Sequence, residues 1–257
     1  FTAQFFGHGD YEGVRNTFRF KFMISVAFAV IGIAVFVVGG PQLISLFLHE
    51  GGESGNIEQT LLYGEKYLHW ILLGLVPFAL SQVYSGTLRE TGETVVPMVA
   101  GVTAVFVNLI FNFLLIYGNF GFPKMGVEGA AIATVMSRYV ELCIIAVWSH
   151  THTEKVPYIK GVYRTLKIPA ELTKQIAIKG MPLILNEALW AFGIAILNQC
   201  YSTRGLAAVA GTNISSTITN LFNVVFIAMG SALAIIVGQL LGAGKLEEAR
   251  ETDTKLI

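Results

Sequence analysis

Residues 174–201 read TKQIAIKGMPLILNEALWAFGIAILNQC, an apolar run that is long enough to cross a lipid bilayer. A hydrocarbon core of about 30 Å needs roughly 20 apolar residues in an α-helix. One carboxylate, Glu187, lies near the midpoint of the run. Because an acidic residue there costs roughly 3 kcal/mol on insertion scales, it is usually retained for function. We predict that Glu187 faces a water-filled cavity and takes up a proton or small cation. The alternative is a structural hydrogen bond to a neighbouring helix.

The composition of the whole chain predicts an all-α polytopic membrane protein, with the lipid bilayer as its surroundings. Of the 257 residues, 54% are hydrophobic and 13% are charged, whereas about a quarter of the residues in soluble domains are charged. The formal net charge is zero, which argues against a nucleic-acid-binding surface. Phe1 begins within a helical pattern and the final residues resemble the start of a helix, so both ends are predicted to be cuts through a longer protein.

Apolar runs predict six membrane spans, at about 17–39, 65–88, 97–117, 127–149, 174–201 and 212–241. Gly39, Gly40 and Pro41 are expected to end the first span. Residues 42–64 are expected to form a loop with three glutamates, Glu50, Glu53 and Glu58, and residues 202–211 a shorter loop. Residues 150–173 form the longest polar stretch. His150 and His152 in that stretch are interpreted as solvated residues, so no metal site is predicted.

Polar side chains inside two consecutive spans recur at helical spacing. Asn108 and Asn112 are four residues apart and therefore share one helix face. In the next span, small residues predict close approach of another helix, with Gly126, Ala130 and Thr134 on one stripe and Gly129 and Ala133 beside it. Arg138 and Glu141 are three residues apart, and we interpret them as a structural ion pair.

A polar stripe also follows the last span, where Asn213, Ser216, Asn220 and Asn223 recur at helical spacing. Such a stripe must face protein or water, and a cavity-lining face and a hydrogen-bonded helix seam remain equally open. Asn186, beside Glu187, is a further candidate for the cavity wall.

The distribution of basic residues predicts the orientation of the chain, because cytoplasmic loops carry an excess of Lys and Arg. When loops are assigned alternately to two sides, 13 of the 17 basic residues fall on one side and three on the other, with Arg138 inside a span. The 150–173 stretch lies on the basic side and is therefore expected in the cytoplasm.

Two segments near the ends of the chain resemble one another. The pattern Gln4-x-x-Gly7-x-Gly9-x-x-Glu12-x-x-Arg15 recurs as Gln239-x-x-Gly242-x-Gly244-x-x-Glu247-x-x-Arg250, at a constant offset of 235 residues. One structural unit is therefore predicted to occur twice. Because an even number of spans separates the copies, we expect halves related by an axis along the membrane normal, as in transporters with parallel repeats.

The sequence resembles the multidrug and toxic compound extrusion (MATE) family over nearly its whole length. The resemblance is carried by residues 87–94 (TLRETGET) before Pro97, by 112–118 followed by Gly121-Phe122-Pro123, by 126–134 (GVEGAAIAT), and by 239–244 (QLLGAG) with its earlier copy. It implies parts of two six-helix lobes of a twelve-helix transporter. Residues 1–149 would run from the end of helix 2 to helix 6, 150–173 would link the lobes, and 174–257 would hold helices 7, 8 and the start of 9.

The resemblance implies a membrane antiporter, not an enzyme, that exports organic, often cationic, compounds in exchange for Na⁺ or H⁺, with no other cofactor. It implies a plasma-membrane location, in bacteria the inner membrane, and the remaining helices as necessary partners. Glu187 matches a coupling Glu of one branch. Asn108 and Asn112 match a pair that is Asn then Asp in another branch, and Thr134 matches a Thr near it. Since Asn112 replaces that Asp, we expect coupling at Glu187.

Two other functions are weighed against export. A flippase for lipid-linked saccharides has a related architecture, but it would be expected to line its cavity with several basic residues, and away from the ends of these spans the only basic residue is Arg138. An intramembrane aspartyl protease is suggested by Gly7-His8-Gly9-Asp10, which lacks a partner Asp within a span and is explained by the repeat.

Overall fold

Residues 1–46 and 57–256 are described by a computed structural model, and throughout these ranges the regular structure consists of helices. The α-helices are α1 Thr2–Gly7, α2 Tyr11–Ser45, α3 Ile57–Glu90, α4 Val95–Tyr117, α5 Val127–Thr151, α6 Ala170–Ser202, α7 Leu206–Gly242 and α8 Leu246–Leu256. Six of them, α2 to α7, are long and apolar enough to cross a membrane. The predicted all-α polytopic fold is confirmed.

Helices α2 to α5 form one packed unit in which α3 packs against α2 and α5, and α5 packs against α4. The close approach predicted from the small residues of α5 is confirmed at Gly129, where a Cβ atom would lie 2.7 Å from the carbonyl oxygen of Leu115 on α4. Only a glycine lets the two backbones come this near. In the second half, α6 packs against α7 and most of both helices is exposed.

The prediction that Gly39, Gly40 and Pro41 end the first span is wrong, because α2 continues through Pro41 to Ser45. Proline removes one helical hydrogen bond, and membrane helices tolerate this loss. Gly40 has a packing role instead, since a Cβ atom there would lie 2.8 Å from Leu68 Cδ2 on α3.

Two predicted loops are shorter than expected. The predicted bounds of the 42–64 loop are wrong at both ends, because α2 extends to Ser45 and α3 begins at Ile57. Glu58 therefore lies in a helix. Glu50 and Glu53 lie outside the described residues. The 202–211 loop is also wrong, since α7 begins at Leu206 and only residues 203–205 separate it from α6. Small apolar residues such as Ala207 and Ala208 extend the helix.

The two motifs from which the repeat was predicted have matching backbone geometry, whereas the repeat of a whole structural unit stays a prediction. At the end of α1, the amides of His8, Gly9 and Asp10 donate to the carbonyls of Gln4, Phe6 and Phe5. At the end of α7, the amides of Ala243, Gly244 and Lys245 donate to those of Gln239, Leu241 and Leu240, each 235 residues later. Gly9 and Gly244 have φ of +79° and +75°, in the left-handed region that favours glycine. The two turns have the same structure.

Candidate functional site

The structure brings together three of the polar residues that the sequence singled out. Asn108 and Asn112 lie on one face of α4, and Asn112 Nδ2 donates to Asn108 Oδ1 at 2.9 Å. Asn108 Nδ2 in turn donates to Thr134 Oγ1 on α5 at 3.3 Å. Thr134 donates its own proton to the carbonyl of Ala130 at 2.9 Å. A continuous hydrogen-bonded cluster therefore crosses the seam between α4 and α5.

One side-chain oxygen of this cluster lacks a hydrogen-bond partner among the described residues. The side-chain oxygen of Asn112 is buried and accepts no hydrogen bond from the described residues. A buried carbonyl oxygen without a partner costs roughly 1–3 kcal/mol, so a native protein usually has a reason to keep one. Neutral oxygens of this kind can bind a hard cation or accept a proton donor from a ligand.

A cavity of about 550 Å³ borders the cluster between α4 and α5. Its wall holds small residues on the α4 side and polar residues on the α5 side, namely Gly101, Ala104, Val105, Asn108, Thr134, Ser137, Arg138 and Glu141. Asn108 and Thr134 thus line a described cavity. Their role in binding remains a prediction.

Arg138 and Glu141 form the predicted ion pair, with Arg138 Nη1 3.0 Å from Glu141 Oε2. The guanidinium also lies over the ring of Phe78 on α3, 4.9 Å from its centroid. The Glu141 side chain is 9% exposed and that of Arg138 is 38% exposed. A paired carboxylate is already compensated, which favours the structural interpretation of this pair.

Glu187 lies in the middle of α6 and is exposed, as are its neighbours on that helix. No described residue forms an ion pair or hydrogen bond with its carboxylate. Asn186 on α6 and Asn213 and Asn220 on α7 are likewise exposed, and none lines a described cavity. The cavity-lining and coupling assignments for these four residues remain predictions.

Sequence reasoning missed that the polar 150–173 stretch is anchored to the first half of the chain. Val156, Tyr158, Ile159 and Val162 are at most 2% exposed and join the core between α2, α3 and α5. Arg15 Nε donates to the carbonyl of Tyr158 at 3.1 Å, and Arg19 Nε donates to that of Val162 at 2.8 Å. The four apolar residues within a polar stretch were the available signal.

Four hydroxyl groups and a histidine complete this anchoring. The hydroxyls of Tyr158 and Thr91 are 2.9 Å apart. The Tyr84 hydroxyl lies 2.5 Å from that of Tyr163 and 3.0 Å from Nε2 of His150, so His150 is exposed but not merely solvated. Burial raises the pKa of Tyr158 to about 12 and also raises the pKa of Tyr163.

Comparisons with known proteins agree on one family. The MatE family model matches residues 1–114 and 182–256. The chain is 28% identical to the probable multidrug resistance protein NorM of Thermotoga maritima, over 95% of this chain and 50% of that protein. It is 29% identical to the multidrug resistance protein MdtK of Edwardsiella ictaluri, over 96% of this chain and 52% of that protein. The chain thus spans about half the length of the curated relatives it matches.

One solved structure has the same fold. It is described as the outward-facing conformation of a multidrug resistance MATE family transporter of the MOP superfamily, and it matches with a TM-score of 0.76 at 24% identity. The match covers 99% of this chain and 55% of that structure.

Proposed function

The chain belongs to the MATE family, and on that premise we propose that its full-length protein is an antiporter that exports organic, often cationic, compounds in exchange for Na⁺ or H⁺. The relatives' names as multidrug resistance proteins support the substrate class. The six apolar helices support a multi-pass location, which we propose is the bacterial inner membrane.

The coupling proposal rests on a difference in ion pairing between two carboxylates that lie in the middle of membrane spans. Glu141 is paired with Arg138, whereas Glu187 has no ionic partner among the described residues. An uncompensated carboxylate in a membrane gains most from a bound cation or proton, because hydrocarbon surroundings disfavour its charged form. Glu187 is therefore the residue whose charge changes during the transport cycle.

Transport then follows from differential affinity. A ligand shifts an equilibrium between two conformations only by the difference in its affinity for them. In our proposal, the outward-facing state exposes Glu187 to the coupling ion, and binding of that ion releases the exported compound. Asn108, Asn112 and Thr134 supply neutral oxygens and amide donors in the first lobe, where they contact the ion or the compound.

The test is efflux of a fluorescent cationic dye from cells that express the full-length gene, with the Na⁺ and pH gradients collapsed separately. Glu187→Gln should abolish gradient-driven efflux at normal expression, and Glu187→Asp should retain part of it. Glu171→Gln is a matched control, because Glu171 lies at the exposed start of the same helix. Undiminished efflux by Glu187→Gln would contradict the coupling role, and efflux indifferent to both gradients would contradict the antiporter.

A further inference from the structure

The segment between α5 and α6 lies at a membrane boundary. Helix α5 ends at Thr151 and α6 begins at Ala170, and both helices have the length and composition of membrane spans. Residues 152–169 must therefore run along the membrane surface between them. The excess of basic residues predicts that this surface is the cytoplasmic one.

This segment is held in a fixed position against the first half of the chain. Its apolar residues Val156, Tyr158, Ile159 and Val162 face inward and are at most 2% exposed. From α2, Arg15 and Arg19 bind its carbonyl groups, and Thr91 at the end of α3 contacts the Tyr158 hydroxyl. Side chains on its outer side are consequently presented in a defined arrangement.

The outer side carries positive charge that the described residues do not neutralise. Lys155, Lys160 and Lys167 are exposed, and none of them pairs with a carboxylate in the described parts of the chain. Glu154 is the single acidic residue of the 152–169 segment. Arg15, which is partly exposed, adds to the field, because its hydrogen-bond partners are the carbonyl groups of Tyr158 and Pro157 instead of carboxylates.

Apolar and aromatic side chains accompany these lysines. Tyr163 and Leu166 are 44% and 49% exposed, and Lys155 Nζ lies 6.0 Å from the ring centroid of Trp148 at the end of α5. Tryptophan and tyrosine favour the depth of lipid head groups. Lysines beside them are at the right level to reach lipid phosphates.

We propose that Lys155, Lys160 and Lys167 form a binding surface for the phosphate groups of anionic phospholipids in the adjacent leaflet. The lipid neutralises the three ammonium groups and the nearby Arg15 charge, and so secures the linker, and the helices it packs against, at the membrane surface. This surface does not include the Asn108 cluster or Glu187, and lipid binding to it does not depend on transport.

The experiment measures the thermal unfolding midpoint of the purified full-length transporter in neutral detergent as phosphatidylglycerol is added. Wild-type protein should show a saturable rise that phosphatidylcholine does not reproduce and that high salt reduces. The triple variant K155Q/K160Q/K167Q should need much more phosphatidylglycerol. The expected loss is about five-fold per lysine, on the order of one hundred-fold in total.

The matched control is K245Q/R250Q/K255Q, which removes three basic residues on the predicted same side, two of them paired with Glu248 and Glu251. It should retain the wild-type response. The proposal would be overturned if the lysine variant responded to phosphatidylglycerol as the wild type does, or if the control variant lost the response to the same extent. If inorganic phosphate alone raised the unfolding midpoint equally, the assignment of the ligand as a lipid would be overturned. If the lysine variant is unstable without lipid, mass spectrometry of phosphatidylglycerol co-purified with the three single variants decides the question. Because the readout is lipid binding, its failure is distinguishable from a failure of dye efflux.

Discussion

Gly7 and Gly242 pack reciprocally where α1 crosses the end of α7. A Cβ atom on Gly7 would lie 2.1 Å from the carbonyl oxygen of Gln239, and a Cβ atom on Gly242 would lie 2.1 Å from that of Gln4. These pairs are equivalent under the 235-residue offset of the repeat. The two copies of the motif therefore contact each other across a local two-fold relationship, and glycine is required because backbone meets backbone.

Gly242→Ala should consequently destabilise the full-length protein. The added methyl group would overlap a carbonyl oxygen that cannot rotate away, and such overpacking typically costs about 1–3 kcal/mol. The thermal unfolding midpoint in detergent should fall clearly. Gly230→Ala on the same helix is the control, since no described atom lies within 4 Å of a Cβ atom there. Equal midpoints for the two variants would contradict the close crossing.

Arg19→Gln should release the linker. The Arg19 side chain is 9% exposed, and it donates to the carbonyls of Val162 and Gly161. A buried carbonyl that loses its donor costs roughly 1–3 kcal/mol, more than a typical net hydrogen bond contributes. Trypsin should then cut after Lys160 several-fold faster than in the wild type. Arg204→Gln is the control, because Arg204 lies in the exposed turn between α6 and α7, and it should leave the cleavage rate unchanged. If Arg19→Gln were cut as slowly as the wild type, the buried apolar residues alone would suffice to hold the linker in place.

Hydropathy predicted the helices well because a bilayer permits few alternatives to them. The ends of the helices were less predictable. In soluble proteins, Gly39, Gly40 and Pro41 together would be expected to end a helix, yet α2 continues through them. The Asn108, Asn112 and Thr134 cluster was partly predictable, because spacing placed the two asparagines on one face. The hydrogen bond from Asn108 to Thr134 depends on how closely α4 meets α5, and hence on Gly129. The linker contacts were hidden, since Arg15 and Tyr158 are 143 residues apart in sequence.

The linker should also detach at high pH. Burial raises the pKa of Tyr158 to about 12, whereas a free tyrosine titrates near 10. Because the folded state keeps the phenol neutral, its contribution is complete below about pH 10 and is lost as the pH rises through about 12, an effect of about 3 kcal/mol. Ultraviolet difference spectra should show late-appearing tyrosinates, and Tyr158→Phe should remove one of them. A Tyr158 that ionises near pH 10 would contradict its burial in solution.

Asn112→Asp should give the first lobe a titrating group. In the wild type, Asn112 donates to Asn108 Oδ1 and its own oxygen accepts nothing from the described residues. An aspartate can reproduce that donation only when protonated, so binding a proton restores the hydrogen bond and losing it leaves two acceptors facing each other. Dye efflux should therefore become more dependent on the pH gradient.

The same substitution should partly rescue a transporter that lacks Glu187. We expect the double variant N112D/E187Q to export dye about ten-fold faster than E187Q alone, which corresponds to about 1.4 kcal/mol of recovered coupling. N119D/E187Q is the control, because Asn119 lies in the turn after α4, where its Nδ2 donates to the carbonyl of Phe113 at 3.2 Å. Rescue by N119D would point to a general effect of added charge. Absence of rescue by N112D, in a protein that still folds, would mean that the first-lobe cluster is structural and that coupling depends on the second lobe alone.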